Sequence, residues 1–210
     1  GSRWGKTVEM NAVISNKTSM LSDVMGKEIE SVGGGQLKSW MSIWVENSNS
    51  ITGCAARAPL SACTLSDRLT VARHKGLECS IASSTNNTSV TITGATDSLA
   101  GCCSSSLGYI VLVQGNNWNH RKVSAYNSLG ADSCSYTLDA GTMSPIDRGA
   151  LANWAGGAFI PIDVVTFYID ESKSQLNRFI DFNANNTIDD GENILLADVV
   201  FQIQVGLGYD

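Results

Sequence analysis

The spacing of apolar residues changes once along the chain, close to residue 33. Before that point the apolar residues recur at intervals of three and four and form one stripe, which comprises Met10, Ile14, Leu21, Val24, Met25, Ile29 and Val32. This period predicts an amphipathic helix over residues 3–33. The run from Gly33 to Gly35 would end it, because glycine adopts the left-handed conformation that closes many helices. Gly1 and Ser2 are typical of a cloning scar, so the helical pattern starts abruptly at Arg3. This start favours the C-terminal half of a longer helix over an ordinary amphipathic helix packed on a sheet.

Beyond the glycines the period becomes two, which is typical of half-buried strands. The clearest alternation lies at residues 201–207, where apolar residues alternate with glutamine and glycine. The other candidate strands lie at residues 40–45, 69–71, 89–93, 109–113 and 164–169. Helical spacing returns only for a turn or two around residues 193–199. We therefore expect an α+β fold, in which one N-terminal helix packs on the antiparallel sheet of a single β-rich domain, residues 34–210.

Charge limits the classes of partner. Only 16% of the 210 residues are charged, and the formal net charge is −6. Binding to nucleic acid or to an anionic membrane surface needs clustered lysine and arginine, so neither is expected. The sequence has no apolar run as long as the roughly 18 residues of a membrane helix, so the chain as given is expected to be soluble.

The cysteines indicate the compartment. All six lie in one region, about residues 47–135, and they are Cys54, Cys63, Cys79, Cys102, Cys103 and Cys134. An even number in a chain rich in serine, asparagine and glycine favours disulfides formed in an oxidising compartment. Free thiols are the alternative, and zinc is disfavoured because no C-x-x-C pair occurs. Cys54 and Cys63 could close a short loop. The adjacent Cys102 and Cys103 are expected to have different partners, because a bond between neighbouring cysteines is strained.

An acidic segment near the C-terminus, residues 181–192 (DFNANNTIDDGE), fits the twelve-residue pattern of a calcium loop. Oxygen ligands would come from positions 1, 3, 5, 7, 9 and 12, which are Asp181, Asn183, Asn185, Thr187, Asp189 and Glu192. Position 6 is normally glycine and is Asn186 here; asparagine tolerates a positive φ, so the turn is feasible. We expect a structural Ca²⁺ of modest affinity. The alternative is an Asn/Asp-rich hairpin that is held by its own side chains and binds no ion.

No catalytic motif is recognisable. His74 and His120 have no partner motif nearby, and nucleophile, zinc and phosphate-loop signatures do not occur. The tryptophans are more typical of core or rim positions than of a sugar-binding platform; those considered are Trp40, Trp44, Trp118 and Trp154. A non-enzymatic protein is therefore expected.

The order of several segments resembles a known family. Residues 21–34 (LSDVMGKEIESVGG) are similar to the end of the long helix of minor pilins, and residues 66–71 (SDRLTV) resemble the first-strand signature of PilW-type minor pilins and the related type II secretion pseudopilin J. Residues 164–170 (VVTFYID) with 176–179 (LNRF) resemble their paired strands. Residues 195–208 (LLADVVFQIQVGLG) resemble their closing strand. The cysteine-bearing region has no counterpart, and members of the family continue past the point where this sequence stops.

The resemblance implies a pilin-like fold, with a truncated long N-terminal helix packed on an antiparallel sheet. It implies a non-enzymatic subunit that helps to prime, assemble or cap a type IV pilus or related filament. Its partners would be other minor pilins, the major pilin and a large tip adhesin. The precursor would be anchored in the inner membrane, with a periplasmic domain, only through the missing apolar first half of the helix before Arg3, and it would then join an extracellular filament. The alternatives are a free-standing extracellular calcium-stabilised adhesin or carbohydrate-binding module and, from a third class, a secreted enzyme.

Overall fold

The computed structural model describes residues 6–14, 18–46, 57–93, 101–141, 143–149, 151–198 and 200–209. Within them lie one α-helix, α1 (Thr18–Glu30), one 3₁₀ turn (Ser39–Met41) and twelve strands. The strands are β1 (Lys6–Ile14), β2 (Ile43–Glu46), β3 (Arg68–His74), β4 (Cys79–Thr85), β5 (Ser89–Thr93), β6 (Tyr109–Gln114), β7 (Asn117–Gly130), β8 (Ser133–Leu138), β9 (Ala158–Asp170), β10 (Gln175–Ile180), β11 (Asn193–Asp198) and β12 (Val200–Tyr209).

Strand β9 organises the fold, because it belongs to two antiparallel layers. Its first half pairs with β6 on one side and β4 on the other. The further pairings β4–β5, β5–β8, β8–β7 and β7–β6 close these strands into a ring of six. The second half of β9 pairs with β3 and β10, and β2 and β11 extend this part into an open sheet of five strands. Because most of β9 is buried on both faces, its sequence is mainly apolar, interrupted at Asp163 and Thr166, and it does not alternate between apolar and polar residues.

Three groups of buried side chains hold these layers together. The first joins α1, the open sheet and β12, and it includes Met25, Phe167, Ile180 and Ile203. The second fills the ring of six strands around Trp154. The third contains Trp44, Trp118 and their neighbours, and lies where β2, β6 and β9 meet. Ile180, the last residue of β10, belongs to the first group, and the loop between β10 and β11 begins at the next residue.

The expected helix over residues 3–33 is wrong for its first part. Residues 6–14 form β1, which pairs antiparallel with β12, and only Thr18–Glu30 is helical. The positions Met10 and Ile14 fit a strand as well as a helix, and the alternating partner strand β12, almost 200 residues away, decides between them. The expected α+β pilin-like fold with a long N-terminal helix is therefore wrong: among the residues that the structure describes, 52% are in strands, mostly antiparallel, and 7% are helical.

The C-terminal part of the apolar stripe behaves as expected. Met25 is buried against the open sheet, and Val24, Ile29 and Val32 pack around it. The chain leaves the helix through Gly33, whose φ is +88°. In the described ranges, no helix is long and apolar enough to cross a membrane.

Most of the expected strands are confirmed, namely those at residues 69–71, 89–93, 109–113, 164–169 and 201–207. Two expectations need correction. The first residues of segment 40–45 form a 3₁₀ turn, and only β2 continues as a strand. The helical turn expected around residues 193–199 is instead the edge strand β11. A helix of one or two turns is too short to be stable alone, whereas pairing with β10 satisfies the backbone of this segment.

Candidate metal loop and disulfide framework

Two disulfides cross-link the ring of six strands. Cys79 at the start of β4 is bonded to Cys102 (S–S 2.05 Å), and Cys103 is bonded to Cys134 in β8 (S–S 1.97 Å). The prediction that the adjacent Cys102 and Cys103 have different partners is confirmed. Cys63 is also disulfide-bonded, and the described residues contain no free cysteine. Cys54, like residues 3–5, lies outside the described residues.

The acidic segment 181–192 connects β10 to β11. Asp181 directly follows the last residue of β10, Glu192 directly precedes β11, and both carboxylates are buried. The backbone N–H of Ile180 donates to the carbonyl of Glu192 at 2.8 Å, so the two ends of the segment meet. The other expected ligand residues, Asn183, Asn185, Thr187 and Asp189, lie on the exposed part of the loop.

The two buried carboxylates close the loop by accepting backbone hydrogen bonds. Asp181 accepts from the N–H of Asn185 (3.2 Å) and of Asn186 (3.4 Å). Glu192 accepts from the N–H of Phe182 (3.0 Å) and of Asp189 (2.9 Å). Positions 1 and 12 therefore hold the loop in a single compact turn whose remaining polar side chains point outward or toward one another.

The exposed side chains of the loop bind one another around Asp189. The side-chain oxygens of Asn183 and Asn185 accept backbone N–H groups at 3.0 and 2.8 Å. Their amide nitrogens both donate to Asp189 Oδ2, at 2.9 and 2.7 Å. These two hydrogen bonds lower the pKa of Asp189, and the hydroxyl of Thr187 contributes in the same direction. The carboxylate is thus kept negative by amide donors.

The loop offers the type of ligand atom that a hard cation prefers. It consists of carboxylate, amide and main-chain oxygens on one short loop, which Ca²⁺ prefers. The hydrogen bonds of the loop, however, are those of the alternative interpretation, in which the loop is held by its own side chains and binds no ion. Among the described residues, no three His, Cys, Asp or Glu side chains are grouped closely enough to hold a metal ion. Binding would require the amides of Asn183 and Asn185 to turn, so that oxygen replaces nitrogen beside Asp189.

Backbone conformation in the loop agrees with the expectation for position 6. Asn186 has a φ of +64°, as the turn requires. Ala184 also has a positive φ, +56°, and it is buried next to Gly108, which directly precedes β6. A Cβ atom at Gly108 would lie 2.9 Å from the Cβ of Ala184, so glycine is needed there for the loop to approach.

Two residues that the sequence analysis did not identify tie the loop to the ring of strands. The hydroxyl of Tyr109 on β6 donates to Asp181 Oδ2 at 2.9 Å, and the ammonium of Lys122 on β7 donates to Asn186 Oδ1 at 2.8 Å. Tyr109 and Lys122 are cross-strand neighbours. Burial, and then the nearby Asp181, raise the pKa of Tyr109 well above its ordinary value. Only the pairing of β6 with β7, which no local motif encodes, could have revealed these contacts.

The remaining candidate residues are mainly structural. Trp44, Trp118 and Trp154 are buried and only Trp40 is exposed, so these four do not form a platform for sugar rings. His120 is fully buried, and its Nδ1 lies 2.6 Å from Asp147 Oδ1. The sequence analysis found no partner for this histidine, and the fold supplies one from a loop 27 residues away. The pair fastens that loop to β7 but does not reach solvent.

No protein-family model matches this chain, and neither a curated protein nor a solved structure matches it. A function must therefore be argued from the residues, the sheets and the loop.

Proposed function

We propose that the protein is a non-enzymatic subunit of an extracellular assembly, and that it acts by binding other proteins. The observation that carries this proposal is the double disulfide at Cys102 and Cys103, with no free cysteine among the described residues. Such a framework persists in oxidising compartments and is rare in the cytosol. The low content of charged residues, 16%, supports the same environment. A thiol titration of the unfolded, unreduced protein should find no sulfhydryl, and two or more would overturn the proposal.

We further propose that the loop 181–192 holds a structural Ca²⁺. Asp181 and Glu192 would supply buried carboxylates from its two ends, and the exposed ligands would be Asn183, Asn185, Thr187 and Asp189. The ion would neutralise this charge and fix the connection between β10 and β11. At a hundredfold excess over Kd, Ca²⁺ should stabilise the fold by about 2.7 kcal/mol. Thermal melts with Ca²⁺ and with chelator should differ for the native protein and coincide for Glu192→Gln; coincident melts for both would reject the ion.

The assembly we propose is a type IV pilus or a related secretion filament, with the chain as a minor pilin or pseudopilin. Support comes from the resemblance of residues 21–34, 66–71 and 195–208 to PilW-type proteins. Partners would then be other minor pilins, the major pilin and a tip adhesin. The precursor would sit in the inner membrane before entering the extracellular filament. The strand β1 does not belong to that expectation, so this proposal depends on the motifs.

Reading the encoded residues that precede Arg3 tests the filament proposal. A short basic leader followed by about 20 apolar residues, the length of a spanning helix, would support it. A conventional signal peptide cleaved directly before Arg3 would reject it.

A free-standing extracellular adhesin is the second candidate. It is favoured by β1, since residues 6–14 form a strand paired to β12 and are not part of a long helix. The buried tryptophans give no support to its carbohydrate-binding form. The sequence encoded upstream of Arg3 also distinguishes this adhesin from the filament subunit.

A further inference from the structure

The open sheet ends at β11, and this edge is exposed and apolar. Among the described strands β11 pairs only with β10, so its outer side carries no partner strand in that part of the chain. Ile194 is 44% exposed and Leu195 is 48% exposed, whereas Ile43 and Trp44 of β2, at the opposite edge of the sheet, are buried. Lysine and proline commonly protect exposed edge strands, and β11 (NILLAD) contains neither.

The backbone of β11 offers hydrogen-bonding groups to a further strand. The N–H of Ile180 donates to the carbonyl of Glu192 at 2.8 Å, so these two residues form a hydrogen-bonded pair. Such pairs alternate along an antiparallel ladder. Ile194 therefore bonds to β10, and its neighbours Asn193 and Leu195 direct their N–H and C=O groups away from the sheet. The register shifts beyond Leu195, so the regular stretch is short and fits a short strand.

A groove of about 470 Å³ lies between α1 and this edge. Ile194 and Leu196 line it from β11, and Val24 and Lys27 line it from α1. Arg178, the residue opposite Ile194 on β10, also lines it. Apolar side chains and charged groups therefore lie side by side along the helix face of the edge.

The charges at the groove are shared unevenly. Glu28 is the only carboxylate in the described lining; it pairs with Arg178 and lies 3.7 Å from the guanidinium of Arg73. Arg73 also pairs with Asp163 at 2.9 Å, and Asp163 in turn lies 3.3 Å from Lys75 Nζ. Two carboxylates are thus shared by three cations, so neither is left to balance a further positive charge.

Lys27 is that further positive charge. It is exposed in the last turn of α1 and forms no ion pair with any described residue. The groove therefore has a positive excess, although the net charge of the whole chain is −6. Charge complementarity favours an acidic partner at this edge. It disfavours a second copy of the chain, because antiparallel pairing of two β11 strands would bring two positive grooves together.

We propose that β11 receives an extended segment of a partner protein, which adds to the open sheet as a further strand and carries acidic side chains on its helix face. Its backbone bonds to Asn193 and Leu195. The aliphatic stem of a glutamate covers Ile194 and its carboxylate approaches Lys27, while apolar residues at alternate positions cover Leu195 on the other face. This inference rests on the proposed role as a binding subunit and specifies the chemistry of its partner.

Titration of the ¹⁵N-labelled protein with blocked pentapeptides tests the proposal. Ac-Val-Glu-Val-Glu-Val-NH₂ should shift the amide signals of residues 193–198 and 24–31, with a dissociation constant in the millimolar range. Ac-Val-Lys-Val-Lys-Val-NH₂ has the same apolar residues and the opposite charge, and it should bind about tenfold more weakly. The acidic peptide with N-methylated valines keeps its side chains but loses backbone donors, and it should not bind.

Three results would overturn the proposal. The first is no shift in β11 from the acidic peptide at millimolar concentration. The second is equal affinity for the acidic peptide and for either of the other two, since charge or backbone pairing would then play no part. The third is dimerisation of the protein alone in sedimentation experiments, with β11 signals that move with protein concentration, which would assign the edge to a second copy.

Three variants sharpen the test. Lys27→Ala should weaken binding of the acidic peptide by about three- to fivefold. Arg148→Ala is the control of equal charge, because Arg148 lies over Trp118 in the ring of six strands, and it should leave the affinity unchanged. Leu195→Pro removes an N–H that points away from β10, where an edge strand tolerates proline, and should weaken binding by about tenfold.

The outcome of this test is independent of the other proposals. If Leu195→Pro disturbs the fold, Lys27→Ala still decides, since equal losses for Lys27→Ala and Arg148→Ala, or no loss for Lys27→Ala, contradict the proposal. The titration uses the isolated chain, so failure of the thiol, calcium or filament experiments leaves its result unchanged. A negative titration likewise rejects only the edge of β11 as a binding site.

Discussion

The hydroxyl of Tyr109 donates a 2.9 Å hydrogen bond to Asp181 Oδ2, which joins the ring of six strands to the first residue of the acidic loop. The two residues are 72 positions apart. Asp181 is buried, and its carboxylate also holds the backbone of Asn185 and Asn186. The conformation of the loop therefore depends on β6, an element outside the β10–β11 connection.

Tyr109→Phe should destabilise the protein by about 1.5–3 kcal/mol, the range for a hydrogen bond to a charged group. The ring remains, so packing is preserved and only the donor to Asp181 is removed. Urea unfolding followed by far-UV circular dichroism measures the loss. Tyr126→Phe is the matched control, because Tyr126 packs its ring against Tyr136 and uses no hydroxyl hydrogen bond among the described contacts. Equal stabilities for the two variants would contradict the role assigned to Tyr109.

Gly108→Ala should cost about 1–3 kcal/mol, as overpacking does in a filled site. The new methyl group would lie 2.9 Å from the Cβ of Ala184 and 3.2 Å from its backbone nitrogen, so the loop must shift. Gly141→Ala is the control, since nothing lies within 4 Å of its Cβ position. Chemical unfolding of both variants checks this, and a control that loses as much stability as Gly108→Ala would refute the steric explanation.

Replacing either disulfide by a pair of serines should lower the free energy of unfolding by about 3–4 kcal/mol. The bonded cysteines are 23 residues apart for Cys79–Cys102 and 31 for Cys103–Cys134, and loop-closure entropy grows so slowly with length that similar losses are expected. Guanidinium unfolding of each double variant measures them. Retention of native stability by either variant would show that its bond is not part of the stabilising framework.

The contrast between β5 and β1 shows how far the sequence determines this fold. Residues 89–93 alternate between buried and partly exposed positions, so their local pattern alone identifies the strand. Residues 6–14 fit a helix and a strand equally well, and a distant partner, β12, decides between them. Tertiary pairing overrides a weak local signal in such segments.

Some features of the candidate loop could likewise be predicted from the sequence, and others could not. Its ends, its order of polar residues and the positive φ of Asn186 follow from local sequence. The contacts of Tyr109 and Lys122 with it do not, because they require β6 and β7 to be paired first. The sequence left the pairing of the cysteines undetermined for the same reason, because spacing in sequence does not determine proximity in space.

The final prediction concerns acid stability and Glu171. The folded-state pKa of this carboxyl is lowered from 4.5, because hydrogen bonds from Thr64, Leu65 and Ser66 outweigh the opposing effect of burial. Above pH 4.5 the group is charged in both the folded and unfolded states, and its hydrogen bonds contribute fully. As the pH falls from 4.5 toward the lower folded-state pKa, the unfolded chain binds the proton first, so this contribution is lost.

Guanidinium midpoints measured from pH 6 to pH 3 should therefore fall more steeply for the native protein than for Glu171→Gln, which has no proton to bind. The difference between the two proteins should be largest at pH 6 and shrink below pH 4.5. Glu30→Gln removes one negative charge from the exposed end of α1 and serves as the control for net charge. It should follow the native profile, because the carboxylate that binds the Thr64–Ser66 backbone is still present. If Glu171→Gln also follows the native profile, the carboxylate that binds the backbone of residues 64–66 does not contribute to stability.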